Sequence, residues 1–277
     1  MSWLVTGGAG YIGSHVVQAF LDAGITPVVI DDLSSGHADF VPKGVVFVQG
    51  TILDTDLVTR TLTENACEGV VHLAGFKYAG VSVSRPLHTY DQNVTGTVSL
   101  LRAMQSVGVH NYVFSSSASV YGTPNVDQVT EQTPTAPESP YGQTKLIGEW
   151  LAGDIAKVDP QWRYTNLRYF NVVGSGSDAL YDTSPHNLFP IVFDALLAGR
   201  TPKIFGDDYP TPDGTCVRDY VHVADLAISH VAAAKAMAAG TGLQVAYNLG
   251  SGDGSSVAEI MSAIARVTGV DFTPEIA

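Results

Sequence analysis

Short apolar runs alternate with longer amphipathic ones through the first half of the chain. "WLVTG" reads as a strand running into a glycine turn, "SHVVQAFLDAG" as a helix stopped at Gly24, and "PVVIDD" and "VVFVQG" as strands. "DLVTRTLTEN" reads as a helix, "GVVHLAG" as a strand, residues 86–107 as one long helix and "NYVFSSS" as a strand. Short runs of β-formers separated by helices predict a parallel sheet covered on both faces. With right-handed crossovers the fold class is α/β, a doubly wound parallel sheet of the Rossmann type, whose ligands sit at the carboxyl ends of the strands.

"SPYGQTK" opens the next helix, with Ser139 as N-cap, Pro140 at the first helical position and Tyr141 in the first turn. That helix runs to about Lys157, and "RYTNLRYF" follows as a strand. Beyond Asn171 the texture changes to long Gly/Pro/Asp-rich stretches, "GSGSDALYDTSPHN" and "FGDDYPTPDGTCVRD", of the kind that bind ligands more often than they fill space. This predicts a Rossmann domain over residues 1–172 and a smaller C-terminal substrate-binding lobe over 173–277, with "VAYNLGSG" returning to the sheet as a strand. The closing "VTGVDFTPEIA" reads as an incomplete segment.

Composition narrows the function. Apolar residues make up 45% and charged residues 15%, which suits a well-buried α/β protein. The formal charge of −13 opposes nucleic-acid or anionic-membrane binding, so neither is expected as a partner. Two cysteines, Cys67 and Cys216, without a CxxC or Cys/His cluster, speak against a disulfide framework or a structural zinc. The N-terminus resembles neither a signal peptide nor a membrane span, so a reduced, cytoplasmic protein without a metal is expected.

"VTGGAGYIGSH" places Gly7, Gly10 and Gly13 between the first strand and the first helix. Glycines there let the chain turn tightly and bring a pyrophosphate to the helix N-terminus, where free N–H groups and the dipole favour an anion. Asp31 ends the second strand, where a carboxylate accepts hydrogen bonds from a ribose diol and repels a 2′-phosphate, so the cofactor predicted is NAD. A plain strand–helix turn is the bland alternative.

The second constellation is Ser117, at the carboxyl end of its strand, with Tyr141 and Lys145 one helical turn apart on a shared face. A free tyrosine, with a pKa near ~10, is too weak an acid to serve as a base at neutral pH. A nearby ammonium and nicotinamide cation favour the phenolate, and ~3 units of lowering corresponds to about 4 kcal/mol. Alone, the pair would read as ordinary helix surface. Beside a dinucleotide loop and a strand-end serine, it reads as catalytic.

These residues resemble those of the extended short-chain dehydrogenase/reductases, and within them the UDP-glucose (UDP-galactose) 4-epimerases. The similarity runs through "TGGAGYIGSH", "HLAGFKYAGVSVSRPLHTYDQNVTGT", "VFSSSASVYG", "SPYGQTK", "LRYFNVVG", "NLFP", "IFGDDYPTPDGTCVRDYVHVADLA" and "YNLGSG". The resemblance implies an NAD-dependent isomerase that interconverts UDP-sugars through a 4-keto sugar. Tyr141 would be the base, Lys145 would tune it and hold the nicotinamide ribose, and Ser117 would bridge sugar O4 and the tyrosine. Tyr11, Ile12, Asp31, Asp32, Ile52, Lys77, Asn93 and Tyr169 match cofactor positions. Asn171, Asn187, Leu188, Phe205 and Arg218 match uridine and diphosphate contacts. Relatives dimerise through helices corresponding to 86–107 and 141–157, which implies a homodimer.

The sequence departs from that pattern at Thr51, where an acid near the adenine is usual, and at His186, where an asparagine is usual. The C-terminal segment that grips ribose and phosphates in relatives has no counterpart before Ala277. Ala118 and Ser119 follow Ser117 where nucleotide-sugar dehydratases carry an added acid and base, which disfavours that chemistry. Epimerases of other UDP-sugars (glucuronate, xylose, N-acetylhexosamine) and a non-catalytic NAD-binding regulator stay open at this point.

Overall fold

A computed structural model describes residues 1–277. The chain runs β1 (Ser2–Thr6), α1 (Tyr11–Asp22), β2 (Thr26–Asp31), β3 (Val46–Gln49), α2 (Thr55–Glu64), β4 (Gly69–His72), α3 (Ala79–Ser84), α4 (Pro86–Tyr90), α5 (Gly96–Val107), β5 (Asn111–Ser117), α6 (Pro140–Val158) and β6 (Arg163–Tyr169). It continues through β7 (Asn171–Val173), α7 (Leu188–Leu197), β8 (Lys203–Ile204), β9 (Val217–His222), α8 (Val223–Ala238), β10 (Ala246–Leu249), β11 (Gly254–Ser256), α9 (Val257–Thr268) and β12 (Glu275–Ile276).

Seven parallel strands form the main sheet in the order β10-β6-β5-β4-β1-β2-β3. Strand order reverses between β1 and β4, which opens a crevice at their carboxyl ends. Strand alternation feeds two cores. Leu4, Val28, Ile30 and Val70 face the helices α2, α5 and α6, while Trp3, Val5, Val29 and Val71 face α1 and α8. The returning segment predicted around 245 is β10, paired to β6 from Ala246 through Leu249. A small separate cluster of Val192, Ile204, Met261 and Ile264 ties α7, β8 and α9 together beside the main sheet.

Two glycines set how closely helices approach the sheet. A Cβ on Gly13 would run into the Gly7 carbonyl, so α1 can start tight against the turn only with glycine there. A Cβ on Gly148 would lie 2.5 Å from the Phe114 ring, so α6 lies hard against β5.

The helix expected over 86–107 is not uniform. Pro86–Tyr90 passes through a wide π-type turn at Asp91–Thr95 before resuming as Gly96–Val107. Side-chain demand explains the bulge. Asn93 points inward from it, its Oδ1 accepting from Phe76 N–H at 2.6 Å and its Nδ2 donating to Phe76 O at 3.0 Å and Thr144 Oγ1 at 2.9 Å. No helix is long and apolar enough to cross a membrane.

Candidate active site

One cleft of about 1910 Å³ runs over the strand ends, from the glycine turn to α7. Common small-molecule pockets occupy roughly 300–1,000 Å³, so there is room here for two extended ligands end to end. Gly7, Gly10, Tyr11, Ile12, Gly13, Asp31, Asp32, Ile52, Lys77, Ser117, Tyr141, Lys145, Tyr169, Asn171, Asn187 and Leu188 all line it. Asn93 lies just beneath, buried, holding the Phe76 segment of the wall. Phe205 and Arg218 are outside the wall: Phe205 follows β8 and is 68% exposed, and the Arg218 guanidinium folds back on the Val217 carbonyl at 2.8 Å.

The glycine turn suits a dinucleotide. Gly7 has φ +72° and packs against the Ala74 backbone, and Gly10 caps α1 with no side chain bonding to the helix N–H groups. The first turn of α1 holds no acidic residue, so its free donors present an uncompensated positive end to the cleft. Asp31 also does structural duty, accepting from Ala9 N–H at 3.0 Å and Leu33 N–H at 2.9 Å. Burial raises the pKa of its carboxyl group, and those two bonds and nearby Lys77 oppose that. The hydroxyl of Thr51, also on the cleft wall, is taken up locally by Leu53 N–H.

At the other end, Ser139 caps α6 by accepting from Gly142 N–H at 3.1 Å, and Ser82 of α3 accepts from the Tyr141 amide at 3.2 Å. Lys145 donates to the Ser115 carbonyl at 2.8 Å, and its Nζ lies 5.7 Å from the Tyr141 ring centroid. Ser117 Oγ accepts from Ser119 N–H and donates to Ser119 Oγ, both at 3.2 Å. Burial pushes Tyr141 up to about 12, partly opposed by the Ser117 hydroxyl, and pulls Lys145 down to about 8. The protein alone therefore keeps Tyr141 protonated. The downward shift expected from the lysine is not present: desolvation dominates, and the Ser117 hydroxyl alone opposes it.

Sequence reasoning missed three features of the wall. Tyr78 meets His186 edge-on at 4.6 Å, which puts the unusual histidine into an aromatic pair. Residues 174–187 form a strap that spans the cleft: Tyr11 donates to the Gly174 carbonyl at 2.6 Å, His37 Nε2 lies 3.1 Å from Thr183 Oγ1, and Tyr181 packs on Phe40 at 5.6 Å. Asn187, at the start of α7, donates to Asp182 of the same strap at 2.6 Å. The irregular composition of that stretch marked a binding loop, but no periodicity showed which partners it would meet.

The crevice, the glycine turn and the Ser/Tyr/Lys cluster define a dinucleotide-dependent enzyme, and residues 3–250 match the NAD dependent epimerase/dehydratase family, to which the chain belongs. The chain is 43% identical to the UDP-glucose 4-epimerase of Neisseria meningitidis serogroup B, covering 99% of this chain and 84% of that protein. It is likewise 43% identical to the UDP-glucose 4-epimerase of Bacillus subtilis, covering 97% and 83%. The structure of the UDP-glucose 4-epimerase from Bifidobacterium longum in complex with NAD+ and UDP matches with a TM-score of 0.92 at 37% identity, over all of this chain and 86% of that one. The enzyme from Stenotrophomonas maltophila with bound NAD and formylated UDP-arabinopyranose matches with a TM-score of 0.94 at 39% identity, over 100% and 86%.

Proposed function

We propose that the chain catalyses reversible 4-epimerisation of UDP-glucose and UDP-galactose, with NAD kept bound through the cycle. The observation that carries this reading is the meeting of Ser117, Tyr141 and Lys145 in the same cleft as the glycine turn. NAD would supply a hydride acceptor that returns what it takes. Gly7, Gly10 and the first turn of α1 would hold its pyrophosphate, Asp31 its adenosine ribose, and Lys145 its nicotinamide ribose.

Tyr141 would remove the proton from the sugar 4-hydroxyl, and Ser117 would orient that hydroxyl by hydrogen bonding. Lys145, positively charged below about 8, would stabilise the phenolate as it forms. The 4-keto sugar then has to present its other face, so the diphosphate must be held firmly and the sugar loosely. Asn171, Asn187 and Leu188 fit the first requirement. In this division residues 1–172 bind NAD, and 173–277, together with Asn171 just before the boundary, bind the UDP moiety. Ala118 and Ser119 supply no carboxylate for elimination, which favours epimerisation over dehydration.

The groove between α5 and α6, lined by Val98, Leu101, Leu151, Ile155 and Val158, fits a homodimer built on these two helices. Light scattering with and without Leu151→Arg tests it. Two free cysteines suit a cytoplasmic setting. The deciding experiment for the activity is incubation with UDP-galactose and no added reductant. UDP-glucose should form without net NADH, and tight NAD binding without turnover would refute the reading.

A further inference from the structure

Tyr141, Lys145 and Glu149 recur every four residues along α6, and all three are buried. Side chains so spaced share a helix face, and this face lies on β5 and β6. A lysine and a glutamate one turn apart ordinarily pair with each other. Here they do not. The Lys145 ammonium goes to the Ser115 carbonyl, while Arg168 of β6 takes both Glu149 oxygens, Nε to Oε1 at 2.9 Å and Nη2 to Oε2 at 2.6 Å. Ser116 Oγ adds a 2.5 Å hydrogen bond to Oε1.

The two-pronged geometry fixes the carboxylate in orientation as well as distance. Arg168 is itself held. Its Nη1 donates to the Tyr121 hydroxyl at 2.9 Å, and that hydroxyl donates to Asn248 Oδ1 of β10 at 2.7 Å. Burial disfavours the guanidinium charge, and Glu149 and Tyr121 more than offset it, so Arg168 keeps its proton. Residues next to this network are the site itself: Ser117 follows Ser116, and Tyr169 follows Arg168. Lys145 is felt by His72 of β4, Tyr141 and Glu149 flank it one turn away on its own helix, and Tyr169 of β6 is coupled to Tyr141; Glu149 is the carboxylate among these groups.

We propose that Arg168 is a positioning residue that sequesters the Glu149 carboxylate, leaving the Lys145 ammonium free to serve Tyr141. This rests on the catalytic reading above. Without Arg168, the nearest cation for a buried Glu149 is Lys145, one turn away. Captured there, the lysine would hold its proton to higher pH and lean away from the phenol.

The test compares wild type, Arg168→Met and the double variant Arg168→Met/Glu149→Gln. In Arg168→Met, kcat should fall about tenfold or more with KM for the UDP-sugar little changed. Competitive acetylation read by mass spectrometry should show Lys145 titrating at higher pH than in wild type. The double variant should return kcat to within about threefold of wild type and restore the Lys145 midpoint. A double variant no faster than Arg168→Met, or a Lys145 midpoint unmoved in Arg168→Met, overturns the proposal. If Arg168→Met does not fold, the double variant decides, since it should keep both the wild-type midpoint and turnover, and losing either overturns it. Wild-type protein without turnover would instead refute the epimerase reading, and the acetylation comparison would still stand.

Discussion

The Lys145 ammonium lies 5.7 Å from the centre of the Tyr141 ring and is anchored on the Ser115 carbonyl, in a site dry enough to move both groups toward neutrality. A lysine brought down to about 8 still carries its charge at pH 7, while a tyrosine pushed up to about 12 does not ionise there. The pair by itself is a poised acid and its counter-charge, and substrate and cofactor have to finish the activation.

Replacing Tyr141 by Phe removes the proton acceptor and leaves the ring's packing in place. Turnover of UDP-galactose should fall by about 10²–10⁴-fold, the usual worth of a positioned acid–base group. Bound NAD, measured by release on denaturation, should stay near wild-type content. Rates within threefold of wild type would rule out Tyr141 as the base.

Gly13→Ala should empty the cofactor site. The added methyl would strike the Gly7 carbonyl and lie 2.8 Å from Gly8 Cα, so either the turn opens or α1 shifts. Overpacking of this kind destabilises by about 1–3 kcal/mol. The purified variant should carry little NAD and show a lower Tm, and wild-type NAD content would refute the packing argument.

Asn93→Ala probes the π-type turn. It deletes three hydrogen bonds and orphans the Phe76 N–H and carbonyl at the cleft wall. Leaving buried groups unpaired costs about 1–3 kcal/mol each where water cannot replace the partner. Urea unfolding should show a loss in that range, with weakened NAD retention. An unchanged midpoint would mean the bulge is held by the backbone alone.

The strands, the glycine turn and the Ser139–Pro140 start of α6 were legible because each rests on local rules: alternation, tight turning, capping. The π-type turn was not, because its cause is Asn93 reaching across to Phe76 and Thr144, contacts remote in sequence. Tyr141, Lys145 and Ser117 were readable as a cluster, but the direction of the Tyr141 shift was not, since desolvation depends on burial that no spacing reports. Glu149 stood in plain view four residues past Lys145. What hid its role was Arg168, nineteen positions on, which only the parallel pairing of β5 and β6 brings to it.

Acid sensitivity should trace to two buried histidines. Thr97 Oγ1 donates to the Asn93 carbonyl, so it accepts from His72 Nε2–H. Neutral His72 then accepts the Thr6 hydroxyl at Nδ1, while Thr6 Oγ1 accepts from Ala74 N–H. His230 donates from Nδ1 to the Leu226 carbonyl and accepts the Ser115 hydroxyl at Nε2. Burial holds His72 down to about 3 and His230 down to about 4, against about 6.5 in an unfolded chain. Between pH 6.5 and 4 the unfolded state therefore binds more protons, and stability falls as pH falls, with a slope that rises to at most about 1.4 kcal/mol per pH unit for each histidine. Asp31, with its raised pKa, pulls weakly the other way, but equally in a variant that leaves it untouched. His230→Gln keeps a side chain able to accept from Ser115 and cannot take up the proton. Urea unfolding from pH 7 to 5 should thus show stability falling by about 2 kcal/mol less in His230→Gln than in wild type, an average of about 1 kcal/mol per pH unit. Parallel slopes would mean that His230 is already charged in the folded protein, and the Ser115 hydrogen bond assigned to its Nε2 would then be wrong.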